Sequence, residues 1–94
     1  MRFEWNPVKA RSNVRKHGIS FDEAISVFRD PLALIFDDET HSGQGSREII
    51  IGYSVLNRLV LVCFTEREEN NLRIISARSP TRTERNDYEE NARS

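Results

Sequence analysis

The 94-residue chain is poor in several of the features that mark common protein classes. It has a single cysteine, which excludes an intrachain disulfide framework and a cysteine-based zinc site. It has two histidines, His17 and His41, far apart in the chain and with no third ligand at a recognisable spacing, so no metal site is expected. No run approaches the ~18 apolar residues of a membrane span. The segment Met1–Trp5 carries no apolar signal region, and the expected location is the cytoplasm. Nor is there an excess of positive charge: the net charge is -1 and the pI about 6.1, which argues against a module that binds duplex DNA directly. The length allows one domain, residues 1–94. A domain this small without a covalent staple benefits from a partner.

What is present is arginine. Of 14 basic residues, only Lys9 and Lys16 are lysine. Arginine suits bidentate recognition of phosphate and carboxylate, although GC-rich coding produces the same bias. The charge is also segregated. Residues 1–20 hold five positive and one negative side chain, residues 21–50 two and seven, and residues 51–94 seven of each.

The element order reads β-α-α-β-β-β-β-α. Arg2–Trp5 alternates like a short strand. Asn6-Pro7 supplies an N-cap and an N1 proline for a helix ending at Gly18, with Ala10, Val14 and His17 on its apolar stripe. Ser20-Phe21-Asp22-Glu23 opens a second helix as a capping box, and Asp30-Pro31 ends it. Strand patterns follow at Leu32–Phe36, Arg47–Tyr53, Arg58–Phe64 and Leu72–Ala77, with turns near Leu56-Asn57 and over Glu66–Asn71. Ser79-Pro80 reads as the cap of a last, polar helix running to about Glu90. The class is α+β: two N-terminal helices and a C-terminal helix on a four- to five-stranded, mainly antiparallel sheet.

Several residues suit metal-free RNA cleavage, which needs a base for the 2′-hydroxyl proton, cations for the charged phosphorane and an acid for the leaving oxygen. Glu66 or His17 suits the base, Arg67, Arg78 and Arg82 the charge, and Tyr88 or His17 the acid. His17 equally suits a plain helix C-terminus. Lys9, Arg11, Arg15 and Lys16 on the first helix, with Arg73, Arg82 and Arg85, suit phosphate contact, a solvated face or an acidic partner. Strict alternation puts Arg78 on the face of Leu72 and Ile74, where a guanidinium requires a fixed anionic partner.

Phe3-Glu4-Trp5-Asn6-Pro7-Val8-Lys9, then Asn13-Val14-Arg15-Lys16-His17-Gly18-Ile19-Ser20-Phe21, resembles the opening of the BrnT toxin family. Val27–Pro31, His41, Arg47-Glu48, Ile51-Gly52-Tyr53, Arg58, Val62, Thr65-Glu66-Arg67, Arg73–Arg78, Glu84-Arg85 and Tyr88-Glu89 continue the likeness over residues 3–90. The chain departs from the family in Asn6, where Asp is common, and in Ser79-Pro80, where many members have Lys-Ala. The resemblance implies a RelE-like fold and a ribonuclease toxin of a type II toxin–antitoxin system that arrests translation and needs no cofactor. It also implies a BrnA-type antitoxin that binds DNA on behalf of the pair, with two copies of each protein in the complex. Carried over by position, the site is Lys16, His17, Glu66, Arg67, Arg78 and Tyr88. The alternative is a module that binds its partner without turnover.

Overall fold

The computed structural model describes residues 1–38 and 47–93. The elements are β1 (Arg2–Glu4), α1 (Pro7–His17), α2 (Phe21–Ser26) followed by a 3-10 turn (Val27–Arg29), β2 (Leu34–Asp37), β3 (Glu48–Tyr53), β4 (Leu59–Glu68), β5 (Asn71–Arg78) and α3 (Arg82–Arg93). One five-stranded sheet has the order β1-β5-β4-β3-β2, antiparallel except where β1 lies parallel to β5. The α+β class and the element order read from the sequence hold.

Local chemistry sets the helix ends. Asn6 Oδ1 accepts from Val8 N at 2.8 Å and Pro7 is the first helical residue. Gly18 closes α1 in the left-handed conformation, φ 69°, its N–H donating to Val14 O. Ser20 Oγ accepts from Glu23 N at 3.0 Å, so half of the expected capping box forms. The Glu23 carboxylate instead turns inward, where it accepts from Arg58 Nε at 2.6 Å and from Ser54 Oγ at 2.7 Å. This ties the β3–β4 turn to α2. Arg58, followed by Ser54 and opposed by burial, holds the Glu23 carboxyl below its ordinary range.

The last helix starts later than Ser79-Pro80 suggests. Thr81 Oγ1 accepts from Glu84 N and Glu84 Oε1 accepts from Thr81 N, a complete capping box two residues further on. The two hairpin turns are tight because Asn57 and Asn70 take positive φ, 61° and 64°. The second turn is therefore short, and β4 runs on to Glu68 rather than stopping at Phe64.

The sheet carries a core on each face. One side buries Ile19, Phe21, Ala24 and Val27 of the α1–α2 region against Ile50, Val60, Val62, Phe64, Leu72, Ile74 and Ala77. Phe28 bridges Phe3 and Phe64, with ring centroids 5.1 Å from each. The other side packs Tyr88 and Ala92 of α3 on Ile51, Leu59 and Leu61. Asp30 joins the two layers: Oδ2 accepts from Tyr53 N at 2.8 Å and from the Tyr88 hydroxyl at 2.7 Å. Gly52 permits this approach, since a Cβ there would lie 3.0 Å from Asp30 Oδ2.

Two irregularities interrupt the β4–β5 pair. Cys63 pairs with Ser76 and Phe64 with Ile74, which leaves Ile75 as an extra residue in β5. Glu66 pairs with Leu72 and Glu68 with Asn71, which leaves Arg67 as an extra residue in β4. Strict alternation fails at Ile75. Arg78 consequently pairs with Leu61 on the α3 side of the sheet, not on the face of Leu72 and Ile74.

A basic groove between α1 and β5

The groove begins with a strand edge that β1 is too short to cover. β1 pairs only with Asn71–Arg73. Beyond it, the β5 backbone meets α1, where Asn13 stands in for a strand. Asn13 Nδ2 donates to Ala77 O and to Ile19 O, both at 2.8 Å, and Asn13 Oδ1 accepts from Ala77 N at 3.1 Å. Asn13 is thus the buried residue of α1, and Val14, expected on the apolar stripe, is 47% exposed.

Two adjoining cavities lie along this edge, the first between α1 and β5, the second running from β5 over β4 with Lys9 of α1 at its rim. One, of about 230 Å³, is lined by Lys9, Ser12, Asn13, Lys16, His17, Ile75 and Ser76. The other, of about 180 Å³, is lined by Lys9, Arg47, Thr65, Arg67, Arg73 and Ile75. They share Lys9 and Ile75. Both extra residues of the β4–β5 pair, Ile75 and Arg67, therefore line the groove. Bulges re-aim side chains in this way beside functional sites.

Of the residues singled out in the sequence, the structure brings Lys9, Lys16, His17, Arg67 and Arg73 together here. Arg73 NH1 donates to Glu4 Oε2 at 2.6 Å. That guanidinium, with the Asn71 amide, holds the Glu4 carboxyl below its ordinary range. Among the described residues, Lys9, Arg47 and Arg67 belong to none of the ion pairs, which are Glu4–Arg73, Glu23–Arg58 and Glu84–Arg78. Arg47, Ser12 and Thr65 were missed by the sequence reading. Only the position of Arg47 in the family-like Arg47-Glu48 pair hinted at it.

The other candidates stand elsewhere. Arg11 and Arg15 are exposed on α1, and Arg82 and Arg85 are exposed on α3; none of the four lines either cavity. Glu66 is exposed at the end of β4, where it accepts from Asn70 N at 3.3 Å. The Tyr88 hydroxyl is committed to Asp30, and burial together with that carboxylate pushes the phenol up. For Asp30 itself, burial raises the carboxyl, and the bonds from Tyr53 N, Tyr88 and Leu32 N outweigh it. Arg78 has a fixed anionic partner, although on the opposite face of the sheet from the one alternation gave. It donates to both oxygens of Glu84, at 2.9 and 3.0 Å. Near it, burial first and Asp38 second push the Cys63 thiol up, which leaves a poor nucleophile. Among the described residues no three His, Cys, Asp or Glu side chains are grouped to hold a metal ion. His41 lies outside the described residues. No helix among those described is long and apolar enough to cross a membrane.

The Arg78 guanidinium brings the Glu84 carboxyl down to about 2. A lowered carboxyl stabilises the fold above its unfolded value and loses that contribution as pH falls toward 2. Arg78 is 37% exposed, which cuts the contribution to about 1–2 kcal/mol. Glu84→Gln is expected to lose this amount in urea denaturation at pH 7. The gap to the parent protein should close between pH 4.5 and 2; a constant gap over that range would refute the pairing as its source.

A family model described as the ribonuclease toxin BrnT of a type II toxin–antitoxin system matches residues 5–84. The chain belongs to the BrnT family. A solved structure agrees on the fold: the 1.1 Å crystal structure of the Brucella abortus ribonuclease toxin BrnT superposes with a TM-score of 0.68. The match is 24% identical and covers 87% of this chain and 99% of that one. A comparison with curated proteins gives no match. Membership of the BrnT family makes the chain a toxin of a type II system and implies an antitoxin partner.

Proposed function

We propose that the protein cleaves RNA in the groove between α1 and β5 without a metal ion, and so arrests translation until a BrnA-type antitoxin binds it. The observation that carries this reading is the convergence of His17, Lys16, Lys9, Arg47 and Arg67 on two connected cavities in a BrnT-family chain. In the complex, the toxin pairs with a second copy of itself, and DNA is reached only through the antitoxin.

The chemistry follows from the side chains at each end. An RNA strand lies along the groove with its scissile phosphate at the Lys16–His17 end. The His17 imidazole takes the proton of the 2′-hydroxyl, whose oxygen attacks phosphorus. The bond from phosphorus to the 5′-oxygen breaks, and that oxygen takes a proton from the Lys16 ammonium or from water. The products are a 2′,3′-cyclic phosphate end and a 5′-hydroxyl end. Lys16, next to His17 in the chain, offsets the charge that builds on the phosphorane. An imidazole is the side chain best suited to exchange protons near neutral pH. Arginine cannot do so, because its guanidinium does not deprotonate in proteins.

The test is cleavage of RNA by the purified toxin in excess EDTA. The rate should stay within about twofold of that with magnesium, and the ends should be cyclic phosphate and 5′-hydroxyl. Cleavage that vanishes with EDTA and returns with a divalent ion would overturn the mechanism. Intact RNA under every condition, with harmless expression at high level, would favour a module that only binds its partner.

A further inference from the structure

The two cavities differ in chemistry. One end of the groove contains His17 and Lys16; the other contains Arg47, Thr65, Arg67 and Arg73, and only Lys9 and Ile75 belong to both. The Arg47–Arg67 end has cations and a hydroxyl but no side chain that takes up a proton near neutral pH. It is built to hold an anion, not to cleave one. Most of its charge is not spent internally: Glu4 pairs with Arg73 and is also acted on at longer range by Arg67, while Lys9, Arg47 and Arg67 form no ion pair among the described residues. Lys9 and His17 are eight residues apart on α1, about 12 Å along the helix axis. Direct hydrogen bonds reach only ~2.7–3.2 Å. His17 lines only the first cavity and Arg47 and Arg67 line only the second, so the two ends offer separate places for a phosphate.

We propose that the Lys9–Arg47–Arg67 end is a second phosphate subsite, which binds an uncleaved phosphate of the same RNA strand while the neighbouring linkage is cut at His17. The subsite makes the toxin selective for a strand over a dinucleotide. It would also work without base readout, since the lining is ammonium, guanidinium and hydroxyl groups that contact phosphate. Its effect on cleavage rests on the ribonuclease reading of the groove; its effect on binding does not.

Oligonucleotides with one ribose among deoxyriboses offer a single cleavable linkage. The dimer has only that phosphate, and the tetramer has one more on each side. The expected kcat/KM for the tetramer is ~10-fold or more above the dimer, the effect of one charge-assisted contact. An uncharged methylphosphonate at one flanking position should remove this gain, and at the other should leave it. Arg47→Ala and, independently, Arg67→Ala should each reduce the tetramer-to-dimer ratio by ~5-fold or more. The subsite is refuted if the gain is absent, if it survives methylphosphonates on both sides, or if both variants leave the ratio as it was. Binding of the 2′-O-methyl dimer and tetramer is measured in parallel. If no oligonucleotide is cleaved, the ribonuclease reading fails. The subsite then stands if the tetramer binds ~10-fold tighter and Arg47→Ala or Arg67→Ala removes that advantage, and falls if it does not.

Discussion

His17→Ala is expected to lower the rate of RNA cleavage by about 10²–10⁴-fold, the usual worth of a positioned proton-transfer group. Binding of an uncleavable 2′-O-methyl RNA should change by only a few-fold, because Lys9, Lys16, Arg47 and Arg67 remain to hold phosphates. Stability should change little. His17 is the exposed last residue of α1, and the helix end is fixed by Gly18 N–H bonding Val14 O at 2.8 Å. The loss of a cation near the helix C-terminus is worth ~0.3–1 kcal/mol at most. Single-turnover cleavage, anisotropy and urea denaturation separate these three readouts. A variant that cleaves at the parent rate would move the proton transfer to another group, and with it the scissile phosphate.

The largest effect on stability is expected at Asn13. Asn13→Ala removes the partners of three buried backbone groups at once: Ala77 N, Ala77 O and Ile19 O. Each orphaned group costs ~1–3 kcal/mol. Asn13 lines the cavity, so solvent in the variant would replace part of what is lost, and the expected loss is about 3–5 kcal/mol. A small domain has only ~5–15 kcal/mol in total, and the variant should be partly unfolded at 37 °C. Where it remains folded, cleavage should fall too, because Asn13 both lines the groove and sets the distance between its walls. Asn13→Asp should recover little, since the carboxylate cannot donate to the two carbonyls. A urea midpoint that places Asn13→Ala within 1 kcal/mol of the parent would show that α1 is held by its apolar contacts alone.

Much of the fold was legible because local signals agreed with the global one. Caps at Asn6, Ser20 and Gly18, the Asp30-Pro31 stop and the apolar runs of β3 and β4 each act within a few residues. What escaped depends on pairing across the chain. Val14 continues the apolar periodicity of α1, yet Asn13 is buried, because the helix faces backbone groups that need polar partners. The side of Arg78 could not be read by alternation, since a bulge is defined only relative to the opposite strand. Thr81 competed with Ser79 as a cap, and a glutamate three residues on decided it. For the candidate site, the Lys16-His17 segment and Arg67 stood out in the sequence. Arg47 did not, because its place in the groove comes from β3 pairing with β4 and from no local pattern. Tyr88 also stood out, and the structure shows it on α3, its ring 5.7 Å from that of Tyr53 and its hydroxyl bonded to Asp30.

The two extra residues in the β4–β5 hairpin behave as a frame shift and its restoration. Before Ile75 is counted and after Arg67 is counted, the strands run in the same register; only Phe64–Glu66 and Leu72–Ile74 are displaced. Each insertion cancels the other because they lie on opposite strands. Loss of Ile75 alone would put the hairpin out of step with its turn at Asn70, and so would loss of Arg67 alone. Loss of both leaves a one-to-one ladder with Leu72, Ile74 and Ala77 still facing the core. A paired deletion is thus expected to leave a 92-residue chain with an unbroken ladder and a groove that lacks Ile75 and Arg67.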